Sequence, residues 1–165
     1  MSKNANSGLA IDNYNVFFWS GWPSQWYPSK FTIDNITYSC AEQYMMSQKA
    51  LLFNDQENYA LIMNTADPKK QKAYGRKVKN FNQYVWIEKR EEFVYQANLA
   101  KFTDNPNLLK LLLDTENRQL VEASPKDNIW GIGMGTNDPN IGNKSSWGLN
   151  LLGKALVKVR DVLRK

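Results

Sequence analysis

The stretch 82–102 constrains the fold more than any other part of the chain. Trp86, Phe93, Ala97 and Ala100 follow one another at spacings of seven, four and three, which places them on one stripe of an α-helix. A stripe of that length needs a partner layer. Further helix signals supply one. Asp67-Pro68 provides an N-cap with proline at the first helical position, and Gly75 closes that helix eight residues on. Asn105-Pro106 starts another that ends near Asp114. Ser39 caps a helix over CAEQYMMSQKA (40–50), and Ser146 caps a final amphipathic helix over 147–163. Strand signals are short by comparison: residues 16–19, two strands in FTIDNITY (31–38) around a turn at Asp34-Asn35, and QLVEAS (119–124). Nothing alternates in the manner of a Rossmann or barrel chain. The expected class is α+β, helix-rich, with a few short strands near the N-terminal third. A polar arm over 1–13 precedes one compact domain over 14–165.

A chain of 165 residues is the size of one domain. No apolar run approaches the roughly 18 residues needed to span a bilayer, and MSKNANSGLA has no signal-peptide core, so a cytoplasmic protein without membrane attachment is expected. Cys40 is the only cysteine and cannot form an internal disulfide, which suits a reducing compartment. Histidine is absent. That removes the commonest general base and the commonest metal ligand, and with them a Ser-His-Asp hydrolase and a zinc enzyme. Neither metal nor cofactor is expected. A net charge of +5 and a pI near 9.2 favour polyanionic partners.

Glu42 and Lys49 stand out within the apolar 40–50 segment. Seven residues apart on a helix, they project within about 20° of each other, so a packed helix encloses both charges together. They form either a structural ion pair or a proton-transfer and amine pair. Three of the six tryptophans fall in FFWSGWPSQWYP (17–28), where Trp19, Trp26 and Tyr27 either wall a pocket or cover a sheet. Arg76 offers a forked donor for a phosphate or a surface salt bridge. Trp86 and Trp130 are stacking surfaces or core residues. The stretch 121–148 is rich in Gly, Asn, Asp and Pro, with apolar residues that argue against disorder. Its Gly131-Ile132-Gly133-Met134-Gly135 run could bring backbone amides close to phosphate or ribose oxygens. It completes neither a dinucleotide fingerprint nor a P-loop.

Taken together, FFWSGWPSQWYPSKF, YSCAEQYMMSQKALLF, KAYGRKVKNF, VWIEKR, LVEASPKDNIWGIG and WGLNLLGKALVKVR resemble the NADAR, or YbiA-like, family in order and over about 15–163. The resemblance implies cleavage of the bond from ribose C1 to a base nitrogen. Two substrate types come with it: ADP-ribose attached to guanine bases of nucleic acid, and the early ribosylaminopyrimidine phosphates of riboflavin biosynthesis. It also implies catalytic roles for Glu42 and for an acidic residue in the later loop, Asp127 with Glu122 as its competitor, and a functional role for Trp86. The substrate-binding set is then Trp19, Arg76, Trp86, Trp130, Gly131 and Gly133. The partner is ADP-ribosylated nucleic acid or a ribosyl-nucleobase small molecule.

The chemistry suits these residue types. Breaking a C1–N bond passes through an oxocarbenium-like state that a carboxylate stabilises while an acid protonates the departing nitrogen. Glu42 and Asp127 can divide those roles. A partly desolvated Lys49 offers a second route, in which its amine attacks C1 and forms a Schiff base. A module that binds ADP-ribose or NAD without chemistry is the remaining alternative.

Overall fold

The computed structural model describes residues 5–165. In chain order its elements are β1 (Leu9–Ile11), β2 (Asn15–Phe18), β3 (Phe31–Ile33), β4 (Ile36–Tyr38), α1 (Ala41–Leu52), α2 (Gln56–Met63), α3 (Pro68–Arg76), α4 (Gln83–Asp104), α5 (Pro106–Leu113), β5 (Gln119–Glu122), a 3-10 turn (Lys144–Ser146) and α6 (Leu151–Leu163). The fold is helix-rich α+β, as the sequence pattern requires. Its backbone groups into two compact units: residues up to Tyr27 with Pro106–Lys165, and Pro28–Asn105.

In the Pro28–Asn105 unit, α1 packs against α2, α3 and α4. Residues 41–47 and Ala50 are all buried, so α1 is enclosed around most of its circumference instead of along one stripe. Phe31, Tyr38, Tyr44 and Ala97 form a core cluster beneath the β3–β4 hairpin, with Phe93 and Ala100 of the α4 stripe against it. The hairpin turns at Asp34 (φ 51°) and Asn35 (φ 67°). Both lie in the left-handed region, which Asp and Asn tolerate better than other residues with a side chain.

In the other unit, β2 is the middle strand of a three-stranded sheet, antiparallel to β1 and parallel to β5. Helix α6 packs on β5. Val121, Ile132 and Met134 form a core cluster with Phe17, Ile141 and Trp147 around it. The long 123–150 connection is thereby anchored by its apolar residues.

Several local expectations need correction. Cys40, not Ser39, occupies the N-cap of α1 and makes no side-chain cap. Instead the Gln43 side chain reaches back to accept from Ser39 N–H at 2.7 Å and Ser39 Oγ at 3.1 Å, a cap built from inside the helix. Gly75 does not end α3, which runs on to Arg76. A Cβ there would fall 2.0 Å from Met46 Sδ, so this glycine permits close helix approach. The final helix starts at Leu151, because Asn150 is left-handed (φ 52°) and its side chain is committed to β5. Its Oδ1 accepts from Glu122 N–H at 3.0 Å and its Nδ2 donates to the Leu120 carbonyl at 3.0 Å. Strand β1 falls within the stretch read as a polar arm, whose residues 1–4 lie outside the described residues. Helix α2 carried no sequence signal strong enough to register.

Candidate functional site

Helix α1 positions the charged pair. Glu42 is 4 % exposed in its first turn and Lys49 is half-buried in its last. The Lys49 amine lies 4.7 Å from the centroid of the Phe81 ring and 5.5 Å from that of Trp86. Trp86 is 8 % exposed and its ring is 6.0 Å from that of Phe93, so the α4 stripe fixes it in place. One side of Trp86 belongs to the core while the indole also faces a cation.

The electrostatics follow from this enclosure. Burial pushes the Lys49 pKa below its ordinary value of 10.5, the Glu42 carboxylate pulls it back up, and the Arg76 guanidinium lowers it again. The balance is downward, so Lys49 yields its neutral amine at lower pH than a surface lysine. Arg76, exposed at the end of α3, is brought to this group by the tight contact of α3 with α1. Glu42, Lys49, Arg76 and Trp86 are thus assembled within one unit, with Phe81 as a member that sequence reasoning missed. The only signal for Phe81 was an aromatic residue directly before the Asn82 cap of α4.

The other named residues lie in the sheet-containing unit. Asp127 Oδ1 accepts from Ile129 N–H and Trp130 N–H, each at 2.9 Å, and its carbonyl accepts from Gly133 N–H at 3.0 Å. It braces its own loop. Trp130 is half-buried, and its carbonyl accepts from Leu152 N–H at 3.1 Å. A Cβ on Gly131 would meet the Glu122 carbonyl oxygen at 2.6 Å and the Glu122 carboxylate at 3.2 Å. Gly133 sits at φ 77° against Asn128. Of the glycines in this run, Gly135 has open space where a side chain would be. Trp19 is 61 % exposed on a cleft of the same unit. Among the described residues no group of three or more His, Cys, Asp or Glu is placed to hold a metal ion, and no helix is long and apolar enough to cross a membrane.

The chain belongs to the NADAR domain family, whose model matches residues 17–164. It is 43 % identical over 144 residues to an N-glycosidase of Acanthamoeba polyphaga mimivirus, an alignment that spans 84 % of this chain and 85 % of that protein. A riboflavin biosynthesis protein of Vibrio vulnificus is 26 % identical over 145 residues, covering 88 % of this chain and 36 % of that one. The NMR structure of the E. coli protein YbiA matches with a TM-score of 0.76 and 25 % identity, over 97 % of this chain and 90 % of that one.

Proposed function

We propose that the chain is an N-glycosidase that hydrolyses the bond between ribose C1 and a base nitrogen, with Lys49 as nucleophile and Glu42 as proton shuttle. The observation that carries this reading is the half-buried Lys49 amine, held against two aromatic faces in the field of a buried carboxylate. Burial lowers the amine's pKa, so the neutral, nucleophilic form is available at lower pH than on a surface lysine. The free amine bonds to C1 while the C1–N electron pair leaves with the base, whose nitrogen takes up a proton. Glu42 accepts the proton that Lys49 sheds. Opening of the ribose ring at its ring oxygen, which is protonated, gives a Schiff base. Water then adds to C1, and the Lys49–C1 bond breaks to return the amine and a free sugar.

Direct hydrolysis by Glu42 with Asp127 is the competing mechanism. Asp127 already commits one carboxylate oxygen to two backbone amides, and this favours the lysine route.

The favoured substrate is ADP-ribose joined to guanine in nucleic acid, which the net charge of +5 would attract. The likeness to a riboflavin biosynthesis protein supports a second reading, ribosylaminopyrimidine phosphates. Incubating the protein separately with guanine-ADP-ribosylated DNA and with the ribosylaminopyrimidine phosphate tests both. Free ADP-ribose identifies the first activity and ribose 5-phosphate the second. Release from neither, with ADP-ribose bound, would instead mark a non-catalytic reader.

A further inference from the structure

Arg76 and Phe81 both act on Lys49, and residues 77–80 join them. Whatever holds that connector sets where both of them stand. It belongs to no helix or strand, so its backbone groups need other partners. Val78 is buried, Lys77 and Lys79 are exposed, and Asn80 sits at φ 60° just before Phe81.

Two side chains at the start of α2 supply those partners. Asp55 is the N-cap of α2 and only 5 % exposed. Its two carboxylate oxygens have separate tasks. Oδ1 accepts from Asn58 N–H at 3.0 Å and caps the helix. Oδ2 accepts from Asn58 Nδ2 at 2.7 Å and from Lys79 N–H at 2.8 Å, while Asn58 Nδ2 also donates to the Lys77 carbonyl at 3.2 Å. A serine would cap the helix as well. The second oxygen serves the connector. Hydrogen bonds, led by that from the Asn58 side chain, lower the Asp55 pKa to about 2, so the carboxylate stays charged wherever Lys49 titrates.

This clasp is tied to the lysine's own helix. Asp55 N–H donates to the carbonyl of Ala50, the residue after Lys49, at 2.8 Å. Phe53, just past the end of α1, sets its ring 5.4 Å from that of Phe81. The contacts run from α1 through Asp55 to Lys79, on to Phe81, and back to the Lys49 amine. The circuit closes within the Pro28–Asn105 unit.

We infer that Asp55, with Asn58, is a positioning residue for Lys49: its second carboxylate oxygen fixes the 77–80 connector and so holds the Phe81 ring and the Arg76 guanidinium at the amine. Asp55 itself touches no reacting atom. Releasing the connector lets the ring and the cation move off, which returns solvent to the amine and removes a like charge. Both changes raise the Lys49 pKa toward its ordinary value. Glu42, the other charge facing the lysine, lies on α1 and stays in place, and the charge facing Asp55 is Lys79. A part for this clasp in turnover rests on the N-glycosidase reading, whereas its hold on the lysine does not.

Trace labelling of the full chain with acetic anhydride over a pH series, with the Lys49 peptide quantified by mass, reads this amine without any substrate. Asp55→Ser keeps a cap oxygen and removes the second one. Its Lys49 labelling should move to higher pH by about half a pH unit or more, a loss of about threefold in neutral amine at a fixed lower pH. Asn58→Ala frees the Lys77 carbonyl but keeps the bond from Lys79 to Asp55, and should shift labelling the same way by less. Ile62→Val, in the buried face of α2, should lower the melting temperature and leave Lys49 labelling where it was. A folded Asp55→Ser protein that labels as wild type does, or an equal shift from Ile62→Val, overturns the inference. Should Asp55→Ser not fold, Asn58→Ala decides by the same criterion. Base release by wild type is followed in parallel. Shifted labelling with no base released sinks the glycosidase reading alone, and turnover with unmoved labelling sinks the clasp alone.

Discussion

The Lys49 amine stands 4.7 Å from the centre of the Phe81 ring, on a helix that protein encloses around most of its circumference. An aromatic face can hold either an ammonium or a guanidinium, so this contact by itself does not call for lysine. What distinguishes the two side chains is that only lysine can give up its proton to become a nucleophile.

Lys49→Arg therefore separates charge from nucleophilicity. The variant should keep its melting temperature and lose activity by on the order of 10²-fold or more. Borohydride added during turnover should leave a ribosyl adduct on Lys49 in wild type, located by peptide mass. An active Arg variant with no trapped adduct would leave direct hydrolysis as the mechanism.

Glu42→Gln should cost activity on the order of 10²-fold while leaving thermal stability nearly unchanged, because the amide keeps the shape while losing the proton-transfer function and the charge that acts on Lys49. Steady-state kinetics beside a melting curve check this. A variant that unfolds early and recovers full activity at low temperature would reassign Glu42 to a structural ion pair.

Arg76 lowers the Lys49 pKa through like charge, so Arg76→Gln should raise it. The rising limb of the pH profile for adduct formation should then move to higher pH. Trapping rates across a pH series read the shift directly, and an unmoved limb would mean that Arg76 does not act on the lysine.

Lys101 provides a test of stability. Its side chain is fully buried on α4, with the amine 5.2 Å from the Phe102 ring centre, and burial lowers its pKa from 10.5 to about 7. Between those values the unfolded chain holds a proton that the folded chain has lost. Unfolding then takes up protons, so stability rises with pH across this window and falls as pH drops toward 7. Lys101→Met should flatten that slope and raise the melting temperature at pH 7 by on the order of 5 °C. An unchanged slope in pH-dependent melting would show that other groups set it.

Where a few neighbouring residues decide the structure, the sequence was informative. The Asp67 cap accepts from Lys69 N–H at 2.9 Å, as local rules anticipate, and α4 begins where its stripe was read to begin, with Asn82 accepting from Tyr84 and Val85 N–H. The Asp34-Asn35 turn and the α4 stripe were equally visible, and so was the shared face of Glu42 and Lys49. Distant partners hid the rest. The Asp55 cap of α2 also accepts from Lys79 N–H, 24 residues on, and α2 buries only Asn58 and Ile62. The start of α6 depends on the grip of Asn150 on β5, about thirty residues earlier in the chain. Phe81 mattered only once the helices had packed. The Gly131 to Gly135 run announced close approach without saying what approaches, and at Gly131 it is the chain's own Glu122 carbonyl.

The contact between Gly75 and Met46 carries a consequence for oxidative damage. The Met46 sulfur fills the space where a side chain on residue 75 would sit, and Met46 is 5 % exposed. Conversion of that thioether to a sulfoxide adds an oxygen to a buried, closely approached group and makes it polar. Helix α3 would have to move away from α1, carrying Arg76 with it. An oxidised molecule would keep both Glu42 and Lys49 chemically intact and still lose the cation that tunes the lysine.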